Sequence, residues 1–270
     1  MKSRFCLGVT LAAIVAVPRG APAQEMEMPR LGDLAAVSTW EINPADLGTF
    51  LTVATKVVQA AKQAKLGADY GWTMWQNFYA VTLVGPFNKA ELDDPQVWMK
   101  QFMGTPGEAT LMQAFQEFES VGILKSTMEI HQEMPDWSYM PAGMTQPSVA
   151  WVHVHEFWLK SGQANFMKWN ALVKDVMAFF KEMGYAYPVW GNMIRYGDAR
   201  MLFVTGYDNP GEYHGAKSIE AVAEKRGAAA RWQQLTARMA ELSLRLTDSH
   251  HQYRPAQSYE GMPPAQPGAK

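Results

Sequence analysis

His131-Gln132-Glu133-Met134-Pro135-Asp136-Trp137-Ser138-Tyr139 is matched 120 residues later by His251-Gln252-Tyr253-Arg254-Pro255-Ala256-Gln257-Ser258-Tyr259, with His, Gln, Pro, Ser and Tyr in step and no gap. Upstream, Val84-Gly85 through Glu91 meets Thr205-Gly206 through Glu212 at an offset of 121. Tyr70 meets Tyr187 at 117 and Glu41 meets Glu156 at 115. Offsets that drift by a few residues while keeping their order are what loop insertions leave in a tandem duplication, so the chain reads as two copies of one unit.

Each copy offers the same series of elements. Val37 to Ile42 and Val149 to Trp158 alternate as strands do. Ala45 to Leu66 and Gln163 to Met183 carry the helical apolar period, with Gly67 and Gly184 as the expected C-terminal stops. Two strands follow in each copy: Tyr70–Gln76 with Tyr79–Val84, and Tyr187–Tyr196 with Met201–Thr205. Gly197-Asp198 supplies the turn of the second pair. Helical stretches come next, at Pro95–Met103 with Glu108–Val121, and at Ala216–Lys225 with Ala228–Leu242. A last strand, Leu124–Glu133 or Leu244–Tyr253, runs into the shared His-Gln-x-x-Pro segment. The order is βαββαβ twice, the ferredoxin-like plan. Such a sheet has helices on one face only, and two copies in one chain can cover each other's bare face.

The predicted fold is therefore α+β: two ferredoxin-like repeats, 35–141 and 147–260, packed sheet to sheet as an intramolecular α+β barrel. In this element order and duplication the chain resembles the dimeric α+β barrel superfamily in a fused form. Familiar members of that superfamily include antibiotic-biosynthesis-type monooxygenases, haem-degrading enzymes and chlorite-dismutase-like proteins. The resemblance implies an enzyme of one of these kinds as the alternative to a simple binding protein, because fold alone does not choose a chemistry.

Strand parity sorts side chains between the helices and the barrel. In the first strand of the second copy, Val152 and Val154 suit the helices, which leaves Trp151, His153, His155 and Phe157 to face inward. Ser38, Trp40 and Ile42 take the equivalent inward places in the first copy. In the last strands, Thr127, Glu129 and His131, and Thr247, Ser249 and His251, are assigned inward, and Trp75, Trp190 and Asn192 join them from the second strands. The expected ligand site is thus a cavity walled by Trp40, Trp75, Trp151, His153, His155, Trp190 and Asn192, aromatic with a few convergent polar groups. His153 and His155 at i, i+2, with His251 on the neighbouring strand, form a candidate facial metal or haem-ligand set. The expectation is that these three do not converge and that no cofactor is held, with haem or a divalent metal as the alternative. His214 and His250 read as merely exposed.

Residues 1–23 read as a secretory signal: Lys2 and Arg4, an apolar run from Phe5 to Val17, then Ala21-Pro22-Ala23 before the expected cleavage. That run is too short for the roughly 20 residues that span a bilayer. Cleavage near Ala23 would leave 21 basic against 26 acidic residues and no cysteine, since Cys6 is the chain's single one. The protein is expected to be secreted or periplasmic, with 24–34 as an N-terminal arm and a Pro/Gly/Ala-rich disordered tail at 261–270. An acidic balance argues against nucleic acid as a partner, and the lack of thiols rules out thiol chemistry. The 270-residue chain, 48% hydrophobic, can bury a sizeable core. No phosphate loop, serine elbow or His-Glu-x-x-His is present, for His155-Glu156 lacks the second histidine. The expected partner is a small apolar or aromatic molecule, and the chain is expected to act as a monomer or homo-oligomer.

Overall fold

The computed structural model describes residues 28–261 except 88, 91–93, 95, 145–148 and 198. The expected signal segment, residues 24–27 of the arm, Pro95, Asp198 and the tail beyond 261 lie outside the described residues. The first repeat runs β1 (Leu34–Ile42), α1 (Leu47–Ala64), β2 (Thr73–Asn77), β3 (Ala80–Pro86), α2 (Val97–Lys100), α3 (Glu108–Phe118) and β4 (Ile123–Glu133). The second runs β5 (Trp151–Leu159), α4 (Gln163–Met183), β6 (Val189–Tyr196), β7 (Met201–Tyr207), α5 (Pro210–His214), α6 (Ile219–Lys225), α7 (Ala229–Leu242) and β8 (Ser243–Tyr253). All eight strands close into one antiparallel barrel in the order β1-β3-β2-β8-β5-β7-β6-β4. Each half keeps the ferredoxin-like order, last strand beside first, and the edge strands of one half pair with those of the other.

The duplicated segment makes this closure. After β4 the chain turns through a 3-10 helix at Pro135–Trp137, and Tyr139 bridges Val189 of the other half. After β8 it turns at Pro255–Gln257, and Tyr259 bridges Trp72. Ser138 Oγ accepts the Gly191 N–H at 3.0 Å, as Ser258 Oγ accepts that of Met74 at 2.9 Å. The hydroxyl of Tyr139 donates to the Tyr185 carbonyl at 2.8 Å, and that of Tyr259 to the Leu66 carbonyl at 2.6 Å. The shared Pro, Ser and Tyr are therefore an exchanged clasp, each repeat locking the backbone of its partner.

Three details differ from the sequence expectations. Helix α1 stops at Lys65, which takes the left-handed conformation itself, two residues before Gly67, whereas Gly184 caps α4 as expected. The bulge between Glu41 and Ile42 in β1 recurs between Trp158 and Leu159 in β5, so the first strands correspond at an offset of 117 and Thr39, not Glu41, is the counterpart of Glu156. By the same registers β3 and β7 correspond at 120, which pairs Gly85 with Thr205. Single-residue coincidences misled where the register of the sheet decides.

The cores sit between sheet and helices, one per repeat. In the second, Trp169, Leu172, Val173 and Phe179 of α4 are fully buried against Phe157, Phe203 and Val189. In the first, smaller residues of α1 such as Ala60 and Ala61 let α3 approach closely, and a Cβ on Gly107 would lie 2.2 Å from the Ala60 carbonyl oxygen. Among the described residues no helix is long and apolar enough to cross a membrane.

Candidate functional site

Three cavities follow from this architecture. The barrel lumen encloses about 890 Å³ and is walled by Val37, Thr39, Val152, Val154 and Val204 together with Trp75, Trp190, Asn192, His131 and His251. A second cavity, about 750 Å³, lies between the sheet and helices of the second repeat. A third, about 510 Å³, occupies the matching place in the first repeat.

The expected site residues are divided among them. Trp75, Trp190 and Asn192 do face the lumen, as do Thr127, Glu129, His131, Ser249 and His251. Trp40, His153 and His155 do not. Val37 and Thr39 of β1, and Val152, Val154 and Glu156 of β5, point inward instead, so Trp40 faces the helices of the first repeat and His153 and His155 those of the second. Trp151, on the same side as His153, packs against the second repeat's core. The parity was reversed because both faces of these strands are covered: valine suits a barrel lining as well as it suits a helix layer, and apolarity no longer tells the faces apart. In turn, His251 is separated from the other two histidines by the sheet. It pairs with Val152 across β5 and β8, while His250 pairs with His153.

The lumen is crossed by a charge network. Arg200, on the β6–β7 hairpin, donates from both terminal nitrogens to the two Glu129 oxygens at 2.8 Å, and its Nε lies 3.0 Å from Glu156. His131 Nε2 is 3.2 Å from the same Glu129 carboxylate. Burial alone would raise the Glu129 pKa, but hydrogen bonds from His131 and Arg200 outweigh it and bring it down to about 2. His251 reaches Ser249 at 2.9 Å, and burial, with His250 nearby, lowers its pKa to about 4.

The second cavity has a different character. Its walls are Phe157, Phe180, Phe203, Trp232, Met177 and Met239, and at one end His153, His155, His214, Tyr185, Tyr213 and Thr205 converge. The ring of His153 sits 3.9 Å from that of His155 and stacks at 3.9 Å on His250, which lies 4.9 Å from His214. Tyr213 holds Nδ1 of His153 at 2.8 Å, and Tyr207 holds Nδ1 of His250 at 2.9 Å. The imidazole of His155 meets the ring of His153 and, among the described residues, takes part in no hydrogen bond. Burial is the main cause that holds both His153, at about 3, and His155 below the usual histidine range, so both rings are neutral at pH 7. Burial also pushes the phenols of Tyr185 and Tyr213 well above their ordinary value. An apolar chamber ending in a few neutral polar groups is the usual build of a small-molecule site. The equivalent cavity in the first repeat has Ala36 and Ser38 where His153 and His155 stand, by register, and is lined almost wholly by Trp, Phe, Met and aliphatic residues.

Sequence reasoning missed His250, His214, Asp248, Tyr207 and Tyr213. One signal was within reach. Once His251 is assigned to the lumen, strict alternation along β8 puts His250 and Asp248 on the helix side, opposite His153 and His155. Arg200 gave no signal, for it lies on a hairpin end.

Eight antiparallel strands from two βαββαβ halves, closed by exchanged edges, define the fused form of the dimeric α+β barrel fold. The chain is similar to solved structures of an anthrone oxidase-like protein (11% identity, 82% of this chain and 91% of that chain, TM-score 0.50), a candidate monooxygenase from Lactobacillus acidophilus (11%, 82% and 94%, 0.49) and a chlorite dismutase from Candidatus Nitrospira defluvii (10%, 84% and 92%, 0.45). At these identities the likeness concerns fold alone. No protein-family model and no curated protein matches the sequence.

Proposed function

We propose that the chain is an exported, oxygen-consuming enzyme whose substrate is a small phenolic aromatic held in the second-repeat cavity. The observation that carries this reading is the chamber itself, about 750 Å³ of aromatic and methionine wall ending at the unbonded imidazole of His155. The anthrone oxidase-like neighbour suggests the substrate class. Export is supported by the basic, apolar and small-residue order of residues 1–23. Closure of the barrel within one chain means that no second copy is needed to cover the sheets.

Electron-rich phenolics and benzylic ketones react with oxygen once deprotonated, so the protein has to bind, orient and take a proton. His155 is placed to accept it, while Tyr213, at the same end of the chamber, is placed to meet an oxygen of the substrate. For an anthrone the methylene carbon loses two hydrogens and gains one atom of dioxygen as a carbonyl. The second oxygen atom leaves as water, so no outside reductant is needed. The apolar walls keep bulk water from the carbanion.

Haem, the alternative cofactor, does not fit this chamber. The imidazoles stack on one another instead of one standing alone over a flat slot, and among the described residues Arg245 is the one Lys or Arg side chain along the wall to meet two propionates. The test is oxygen uptake and product analysis with anthrone and other polycyclic phenols. His155→Ala is expected to lower kcat by roughly a hundredfold or more with little change in KM, the size of a lost general base. Uptake untouched by that substitution would overturn the role of His155. Tight binding of the aromatics with no oxygen uptake would leave a binding protein in place of an enzyme.

A further inference from the structure

Beside the aromatic chamber, His153, Asp248 and His250 bring one ligand atom each to within 4.8 Å of one another. We infer that these three residues form a binding site for a divalent first-row transition-metal ion, two imidazoles and one carboxylate on adjacent strands. The sheet register builds it: His153 of β5 faces His250 of β8 directly, and Asp248 is two residues along on the same face.

Three observations point to a cation. Nε2 of His153 is buried, has no hydrogen-bond partner among the described residues, and lies 3.4 Å from Oδ2 of Asp248. An imidazole nitrogen and a carboxylate oxygen at that distance are drawn together by a proton or by a metal ion between them, and both are acceptors suited to a metal. Next, both histidines are held from behind. Tyr213 engages Nδ1 of His153 and Tyr207 engages Nδ1 of His250, at 2.8 and 2.9 Å. In the tautomer in which Nδ1–H donates to the hydroxyl, Nε2 is left free to ligate, which is how metal-bound histidines are ordinarily supported. Finally, the two tyrosines stack on each other at 4.2 Å and 5°, so the backing of both imidazoles is a single rigid unit.

Ligand atoms on a four-coordinate ion sit roughly 3.3 Å apart, given bonds of about 2.0–2.1 Å. His153 and Asp248 already meet that spacing. All three ligand atoms lie within 4.8 Å of one another, and the Asp248 side chain, 61% exposed, has room to rotate toward the histidines. Two histidines and a carboxylate leave further coordination positions open. The site does not depend on the oxygenase reading, since it asks only whether an ion is held.

The test uses the untagged full chain, stripped with a chelator and titrated with Co²⁺ and Zn²⁺. The expected result is one Co²⁺ per chain with visible d–d absorption of a low-coordinate site, displaced by Zn²⁺. Asp248→Asn, at a mostly exposed position, and His250→Gln are expected to weaken Zn²⁺ by a hundredfold or more while circular dichroism stays unchanged. Tyr207→Phe, which only removes the backing hydroxyl, is expected to cost roughly tenfold. Failure of the wild-type chain to bind either ion at micromolar concentration would overturn the site. So would stoichiometric binding that survives both ligand substitutions. Oxygen uptake that persists in a chain shown to bind no metal would remove this site and leave the aromatic chamber standing.

Discussion

Replacing Glu129 by Gln probes the joint between the two repeats. Glu129 belongs to β4 of the first repeat, and its bidentate partner Arg200 to the β6–β7 hairpin of the second; their side chains are only 15% and 13% exposed. Partners outweigh burial and bring the carboxyl from 4.5 to about 2. A difference of about 2.5 pKa units corresponds to roughly 3 kcal/mol in favour of the folded state. Because the folded value is the lower one, this contribution is complete above the ordinary carboxylate range. It is lost as pH falls from about 4.5 through about 2. Glu129→Gln keeps the shape and removes the charge that pairs with both terminal nitrogens of Arg200. Urea unfolding followed by tryptophan fluorescence is expected to show a loss of about 3 kcal/mol at pH 7, in the range for breaking a buried pair. The variant is also expected to lose less stability than the wild type between pH 5 and 2. Asp175→Asn, which breaks the half-exposed pair with Arg238, is the control expected to change little. A Glu129→Gln protein within 0.5 kcal/mol of wild type (roughly the resolution of the method) with an unchanged acid profile would refute the reasoning.

Tyr259→Phe removes the hydroxyl that donates to the buried Leu66 carbonyl and is expected to cost about 1–3 kcal/mol in chemical denaturation. Gly191→Ala places a Cβ 2.5 Å from Trp137 Cβ and 2.7 Å from its carbonyl oxygen, so it should open the clasp and lower Tm by several degrees. Gly67→Ala, with open space around it, should not. Met239→Trp fills the second-repeat cavity and is expected to weaken aromatic ligands at least tenfold by fluorescence titration, whereas Val204→Phe, in the lumen, leaves them unchanged. The opposite pattern would move the ligand site into the barrel.

The fold was legible because the duplication is written twice in residues with a fixed geometric duty. Pro135 and Pro255 start the 3-10 turns, Ser138 and Ser258 cap a backbone amide of the other repeat, and Tyr139 and Tyr259 reach its carbonyls. Such roles tolerate few alternatives, so the residues persist in both copies while the rest of the sequence has drifted. The site was half legible for the opposite reason. Trp75, Trp190 and Asn192 lie on strands where the lumen assignment held, but β1 and β5 are covered on both sides and mix apolar with polar residues on each face, so neither face is marked as the inward one.

What distinguishes the two repeats is chemical, not architectural. At the positions matched by the sheet register, Ala36 and Ser38 of the first repeat become His153 and His155 of the second. Met128 and Ile130 stand across from Ser38 and Ala36, where Asp248 and His250 stand across from His155 and His153. All four substitutions fall on one patch of one sheet face, and all four replace an apolar or small residue by a group that can ligate or move a proton. Burying that many imidazoles costs stability, since each must give up water without a full set of partners. The first repeat shows that the same backbone folds with a greasy patch there. A concentration of costly groups in one copy, backed by two stacked tyrosines and opening on an aromatic chamber, is the mark of a site kept for its chemistry.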